Sequence, residues 1–156
     1  FPENTLSVGL LSTVAGRSNE DRDKVLKIIK SMEVEGIAKI LPTLKTRWFT
    51  DHFIKNNPLL VERRIKQVID TNPEVFLNVF KIYAETEMIT WLKNINKPCL
   101  VMTGENDLGC SPNHNQKIAR QLQNSQLVIL PKVKHSILLE NPDTVSSEIL
   151  NFLLNL

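Results

Sequence analysis

Two apolar runs in this sequence lead into groups that can move protons. Pro98 to Gly104 runs into Glu105, Asn106 and Asp107, and Gln126 to Leu130 is followed, past Val133 and Lys134, by His135. A carboxylate that accepts the Nδ1 hydrogen of an imidazole fixes its tautomer and leaves Nε2 as a general base. Asp107 and His135 are thus the candidate acid and base, with Glu105 a competitor for the acid. A serine would complete a triad, but no G-x-S-x-G elbow occurs anywhere in the chain. His52 and His114 lack partners at ligand spacing, so no metal site and no cofactor are expected. Cys99, inside an apolar run, is expected to be a buried inert thiol, and Cys110, near Asp107, a more exposed one.

Bringing a carboxylate and an imidazole together from positions 28 residues apart requires two neighbouring strands. The runs at 98–104 and 126–130 have the length and apolar character of buried parallel strands. Residues 113–123, with Ile118, Ala119 and Leu122 inward, suit the crossover helix between them. A last helix follows Asn141-Pro142, with Val145, Ile149, Phe152 and Leu153 facing in. A further strand is expected around Val8, Leu10 and Leu11. Strand, helix, strand, helix is the pattern of a parallel sheet, hence the α/β class. In such sheets ligands bind beyond the carboxyl ends of the strands, where Asp107 and His135 fall.

Residues 19–93 read as helical throughout. Val25, Ile28, Ile29 and Met32 repeat at the helical period, as do Ile37, Ile40, Leu41 and Leu44. Asn57-Pro58 and Asn72-Pro73 each open a helix with proline in the first turn. Phe76, Phe80 and Tyr83 are expected to be core. Trp48, Phe49 and Phe53 crowd three rings into six positions, and residues 46–53 read as a distorted helix or loop.

Composition excludes several classes. The 156 residues carry 19 Lys+Arg against 17 Asp+Glu, net +2, with no basic run, which leaves no electrostatic footprint for nucleic acid. No apolar stretch approaches the roughly 20 residues that span a bilayer. The two cysteines form no disulfide framework, there is no leader-like amino end, and the expected location is cytoplasmic. The chain opens on Phe1 rather than Met, as if inside an αβ connection, so it is expected to be part of a longer protein.

The stretch Leu92-x-x-Ile95-x-x-Pro98 through Gly104-Glu-Asn-Asp107, with Ile118-Ala119, Val128 to Leu130, His135, Glu140-x-Pro142 and Ile149-x-x-Phe152-Leu153, resembles the carboxyl-terminal third of an α/β-hydrolase. The helical block resembles the cap inserted in that fold. Arg47-Trp48-Phe49-Thr50-x-x-Phe53, followed by Asn57-Pro58, is similar to the cap of 3-oxoadipate enol-lactonases. The resemblance implies three parallel strands with crossover helices plus an all-helical cap, divided as 1–18 for the first core strand, 19–93 for the cap and 94–156 for the core segment carrying acid and base.

It implies hydrolysis of a small ester or lactone through a Ser-Asp-His triad whose serine lies upstream, so that these residues alone are inactive. It places Trp48, Phe49 and Arg47 at the substrate, the alternative for the rings of Trp48, Phe49 and Phe53 being to pack the cap's own small core. Dehalogenation and perhydrolysis use the same scaffold, and a hydrolase-like binding module without catalysis is the alternative reading. An unpaired edge beside Leu6 to Ser12 further predicts self-association or dependence on an amino-terminal half.

Overall fold

A computed structural model describes residues 1–156, which divide into two compact units, Phe1–Gly16 with Glu87–Leu156, and Arg17–Thr86. The first unit is built on three parallel strands, β1 (Val8–Leu11), β2 (Cys99–Gly104) and β3 (Ser125–Leu130), in the order β1-β2-β3. The register sets Leu10 beside Val101 and Met102 beside Val128. Every residue of β2 is buried, because a central parallel strand is covered on both faces and cannot alternate apolar with polar.

Alternate β2 side chains serve two cores. Leu100 and Met102 join Leu130, Val133, Ile137, Val145 and Phe152, gathering in the short helix α7 (Ile137–Glu140) and α8 (Pro142–Leu154). Cys99 and Val101 join Ala15, Leu92, Ile118 and Leu122, gathering in the crossover helix α6 (Pro112–Gln121). Helix α6 starts where Ser111 Oγ accepts the His114 N–H, with Pro112 in the first turn, where its missing donor costs no hydrogen bond. Within the expected last helix Leu153 is half exposed rather than inward. Val145 and Phe152 make the buried stripe, joined by the partly buried Ile149.

The second unit holds α1 (Asn19–Glu35), α2 (Ile37–Trp48), α3 (Asp51–Asn56), α4 (Pro58–Ile69) and α5 (Pro73–Glu85). Ser18 caps α1, and Gly36, at φ 89°, makes the sharp turn into α2 that a side chain would resist. Met32, Ile37, Leu41, Leu44 and Val68 form its main core, with Ile65, Phe76 and Phe80 packed against them. Arg17 ties its start to its last helix by donating to the Tyr83 carbonyl, its guanidinium lying 4.3 Å over the Tyr83 ring.

The aromatic stretch is more regular than its composition implies. Helix α2 runs on through Trp48, the chain extends at Phe49, and Thr50 Oγ1 caps α3 by accepting the Phe53 N–H. Residues 87–93 pack with the sheet, through Met88, Ile89 and Leu92. No helix is long and apolar enough to cross a membrane.

Candidate active site

Strand β2 ends at Gly104, and the turn that follows lies against the loop after β3. The N–H groups of Glu105 and Asn106 donate to the carbonyls of Leu130 (2.8 Å) and Val133 (3.0 Å), and that of Asp107 closes back on the Gly104 carbonyl. A Cβ at Gly104 would stand 2.2 Å from the Lys134 carbonyl oxygen and 2.5 Å from that of Val133. Only glycine permits this approach, which brings the acid turn onto the residues just before His135.

Asp107 Oδ2 and His135 Nδ1 are 2.8 Å apart. The other oxygen, Oδ1, accepts the N–H groups of Gly109 (2.9 Å) and Cys110 (2.8 Å). A carboxylate can only accept, so Nδ1 carries the proton of the shared bond, and Nε2 is the nitrogen left for proton transfer. The Asp107 side chain is 1% exposed and the His135 side chain 39%, which puts the acid inside and the imidazole at the surface. Ser12, just beyond β1 and in the left-handed region at φ 47°, donates its hydroxyl to the His135 carbonyl at 3.0 Å.

Burial raises the Asp107 pKa, but the hydrogen bond and charge of His135, helped by the Cys110 and Gly109 amides, outweigh it and hold the carboxyl below its ordinary value. For His135, burial acts downward, and the hydrogen bond to Asp107, with contributions from Cys110 and the Asp107 charge, pushes the ring up to about 10.

Glu105 is engaged elsewhere, its Oε2 accepting the Lys132 N–H at the turn. Lys134 donates its N–H to Glu140 Oε1. Cys99 is buried as expected. Cys110 is also buried, at 2% exposure, contrary to the expectation of an exposed loop thiol: the Asp107 turn folds it inward. Asp107, Cys110 and His135 bring one oxygen, one sulfur and one nitrogen within 4.8 Å of one another, donor types that zinc accepts, with carboxylate and imidazole already satisfying each other by their hydrogen bond. His114 Nδ1 pairs with Ser111 Oγ, and His52 with Asn56.

The candidate substrate residues lie in the helical unit. Phe49 is fully buried, stacked on Phe53 at 5.5 Å and packed with Val61. Trp48 is partly buried against the same cluster, and Arg47 is exposed.

Sequence reasoning missed the surroundings of Asp107. The polar or charged side chains buried in this chain are Thr103, Asp107 and Asn115, and all three meet around the acid turn. One signal was available in retrospect. Asn115 occupies the inward stripe of α6, three and seven positions before Ile118 and Leu122, where an apolar residue would pack.

A family model described as TAP-like protein, an α/β-hydrolase family, matches residues 83–156. The chain is 24% identical over 114 residues to 3-oxoadipate enol-lactonase 1 of Acinetobacter baylyi, covering 73% of this chain and 42% of that protein. It is 26% identical over 145 residues to the pimeloyl-[acyl-carrier protein] methyl ester esterase of Nitrosospira multiformis, covering 91% and 49%. Among solved structures, the enol-lactonase from Burkholderia xenovorans LB400 superposes with a TM-score of 0.86 at 20% identity, over 95% of this chain and 56% of that one. The chain spans less than half the length of these two curated relatives. Over the part it spans, the chain therefore has the cap and carboxyl-terminal sheet of the α/β-hydrolase fold, and in sequence it resembles the 3-oxoadipate enol-lactonases.

Proposed function

We propose that these residues supply the acid and base of a hydrolase acting on a small carboxylic ester or lactone, with the nucleophilic serine contributed by another part of a longer protein. The observation that carries this reading is the 2.8 Å contact between Asp107 Oδ2 and His135 Nδ1, which joins a buried acid to a base of which more than a third is exposed. The lactonase and ester esterase named above support the substrate class.

In this mechanism the serine oxygen bonds to the substrate carbonyl carbon as its proton passes to His135 Nε2. His135 then gives that proton to the leaving oxygen, forming an acyl-enzyme. Water, deprotonated by the same nitrogen, attacks the acyl-enzyme, and the serine recovers its proton. Asp107 keeps its negative charge throughout and stabilises the imidazolium. A bound substrate covering the exposed ring removes water from it, which lowers its pKa toward the range a base needs.

The helical unit selects the substrate in this reading. In it Arg47 holds a substrate carboxylate, Trp48 supplies apolar contact, and Phe49 backs Trp48 from the core. The 156 residues alone are inactive. Their open β1 edge pairs either with the remainder of the longer protein or with a second copy. Two cysteines without a disulfide fit a reducing, cytoplasmic location. A binding module would gain nothing from so well ordered an acid–base pair, which favours the enzyme. The reading is tested by hydrolysis assays on the longer protein carrying His135→Ala: it requires loss of turnover with small lactones or esters, and retained turnover contradicts it.

A further inference from the structure

We propose that Thr103 and Asn115 are positioning residues for Asp107, acting through the backbone of Cys110. Thr103 Oγ1 donates to the Cys110 carbonyl at 2.8 Å, and Asn115 Nδ2 donates to the same oxygen at 2.9 Å. A carbonyl oxygen has two lone pairs, so this one is fully occupied. The N–H of Cys110 in turn donates to Asp107 Oδ1 at 2.8 Å. One residue thus has its carbonyl clamped from two sides and its amide aimed at the carboxylate. The two Asn115 Nδ2 hydrogens are shared with the carbonyls of Ser111 and Thr13 as well, at 3.1 Å each, which ties the acid turn to the chain just after β1.

Packing alone does not call for either residue. Thr103 lies on the face of β2 that carries Cys99 and Val101, and Asn115 on the stripe of α6 that carries Ile118. Both are wholly buried, where a valine and a leucine would fill the space without taking a hydroxyl and an amide out of water. The Thr103 hydroxyl and the Asn115 amide nitrogen direct their hydrogen bonds at the residue that holds the acid, while Asn115 Oδ1 stays buried without a hydrogen-bond partner. A carboxylate whose Oδ1 is fixed in this way keeps Oδ2 aimed at Nδ1, so tautomer control of His135 begins at Thr103 and Asn115 and reaches it through Cys110 and Asp107.

The inference rests on reading Asp107 and His135 as acid and base, but its test follows the pair's geometry and not turnover. The titration of His135 is measured by NMR in the 156-residue chain and in four variants, with thermal melts alongside. Asp107→Asn sets the reference without the partner charge. Thr103→Val, nearly isosteric, is expected to lower the His135 midpoint by about half a pH unit or more, and Asn115→Leu to do the same. Thr103→Ser, which keeps the hydroxyl, is expected to stay at the parent value.

A midpoint that moves with Asp107→Asn but not with Thr103→Val or Asn115→Leu overturns the proposal and leaves the pair intact. A midpoint insensitive to Asp107→Asn overturns the reading of the pair itself. Equal shifts in Thr103→Val and Thr103→Ser assign the effect to packing and overturn the role of the hydroxyl. Amide exchange in the unsubstituted chain decides the matter whether or not a variant folds. The Cys110 N–H is expected to be protected, and exchange at the rate of an open turn overturns the proposal.

Discussion

His135 Nδ1 lies 2.8 Å from Asp107 Oδ2, although they stand 28 positions apart in the chain with a whole crossover helix between them. Two adjacent parallel strands close that gap, and a glycine at the end of one lets the two following loops touch. The pair is the centre of the functional reading, and its consequences are measurable.

His135 is expected to titrate near pH 10 in the 156-residue chain, far above the ordinary value of about 6.5. Replacing Asp107 by Asn removes the charge that holds the proton and leaves burial opposed chiefly by the contribution of Cys110. The midpoint is then expected to fall well below its parent value, as NMR titration of the imidazole will reveal.

Stability should follow pH through the same pair. The His135 pKa is raised on folding, so its contribution is complete below about 6.5 and fades as pH climbs toward 10. The Asp107 pKa is lowered, so its contribution is complete above about 4 and fades as pH falls further. Urea melts across pH should place the pair's greatest contribution between about pH 4 and 6.5, a maximum that Asp107→Asn flattens.

Gly104→Ala should be costly where Gly9→Ala is not. At Gly104 the added carbon meets two backbone carbonyl oxygens that cannot step aside, whereas at Gly9 nothing lies within 4 Å. A loss of about 1–3 kcal/mol is expected at Gly104, with little change at Gly9, by chemical denaturation. The Gly104 variant should also lose the elevated His135 midpoint, because the acid turn can no longer sit on the loop before it.

Much of the first unit was legible in the sequence, for a physical reason. Buried parallel strands read as unbroken apolar runs, and groups at their carboxyl ends must emerge along one edge, so Asp107 and His135 stood out at 98–107 and 126–135. What escaped depends on contacts between distant residues. Thr103 reads as one more strand residue and Asn115 as one more polar helix residue until the Cys110 carbonyl is found between them. Cys110 looked exposed because loops usually are, yet the amide bonds to Asp107 turn this loop inward. The break at Phe49 was blurred because three aromatic rings carry no clear period, while the Thr50 cap that resolves it depends on one hydroxyl.

Strand β1 should mediate self-association. Val8 and Ser12 direct their N–H groups at β2, and by the alternation of a strand Gly9 and Leu11 direct theirs outward, at the sheet edge. Sedimentation velocity on the isolated chain is expected to find oligomers, and Gly9→Pro, which removes an outward donor, to weaken them. A monodisperse monomer of the unsubstituted chain would count against this.

The most direct test of the central claim is turnover of small lactones and p-nitrophenyl esters by the longer protein proposed to contain this chain, with Asp107→Asn and His135→Ala measured beside it. The account predicts that kcat falls by about a thousand-fold or more in each variant while the fold is retained, and that the 156 residues alone do not turn over. Variants that keep kcat within about ten-fold of the parent would contradict it.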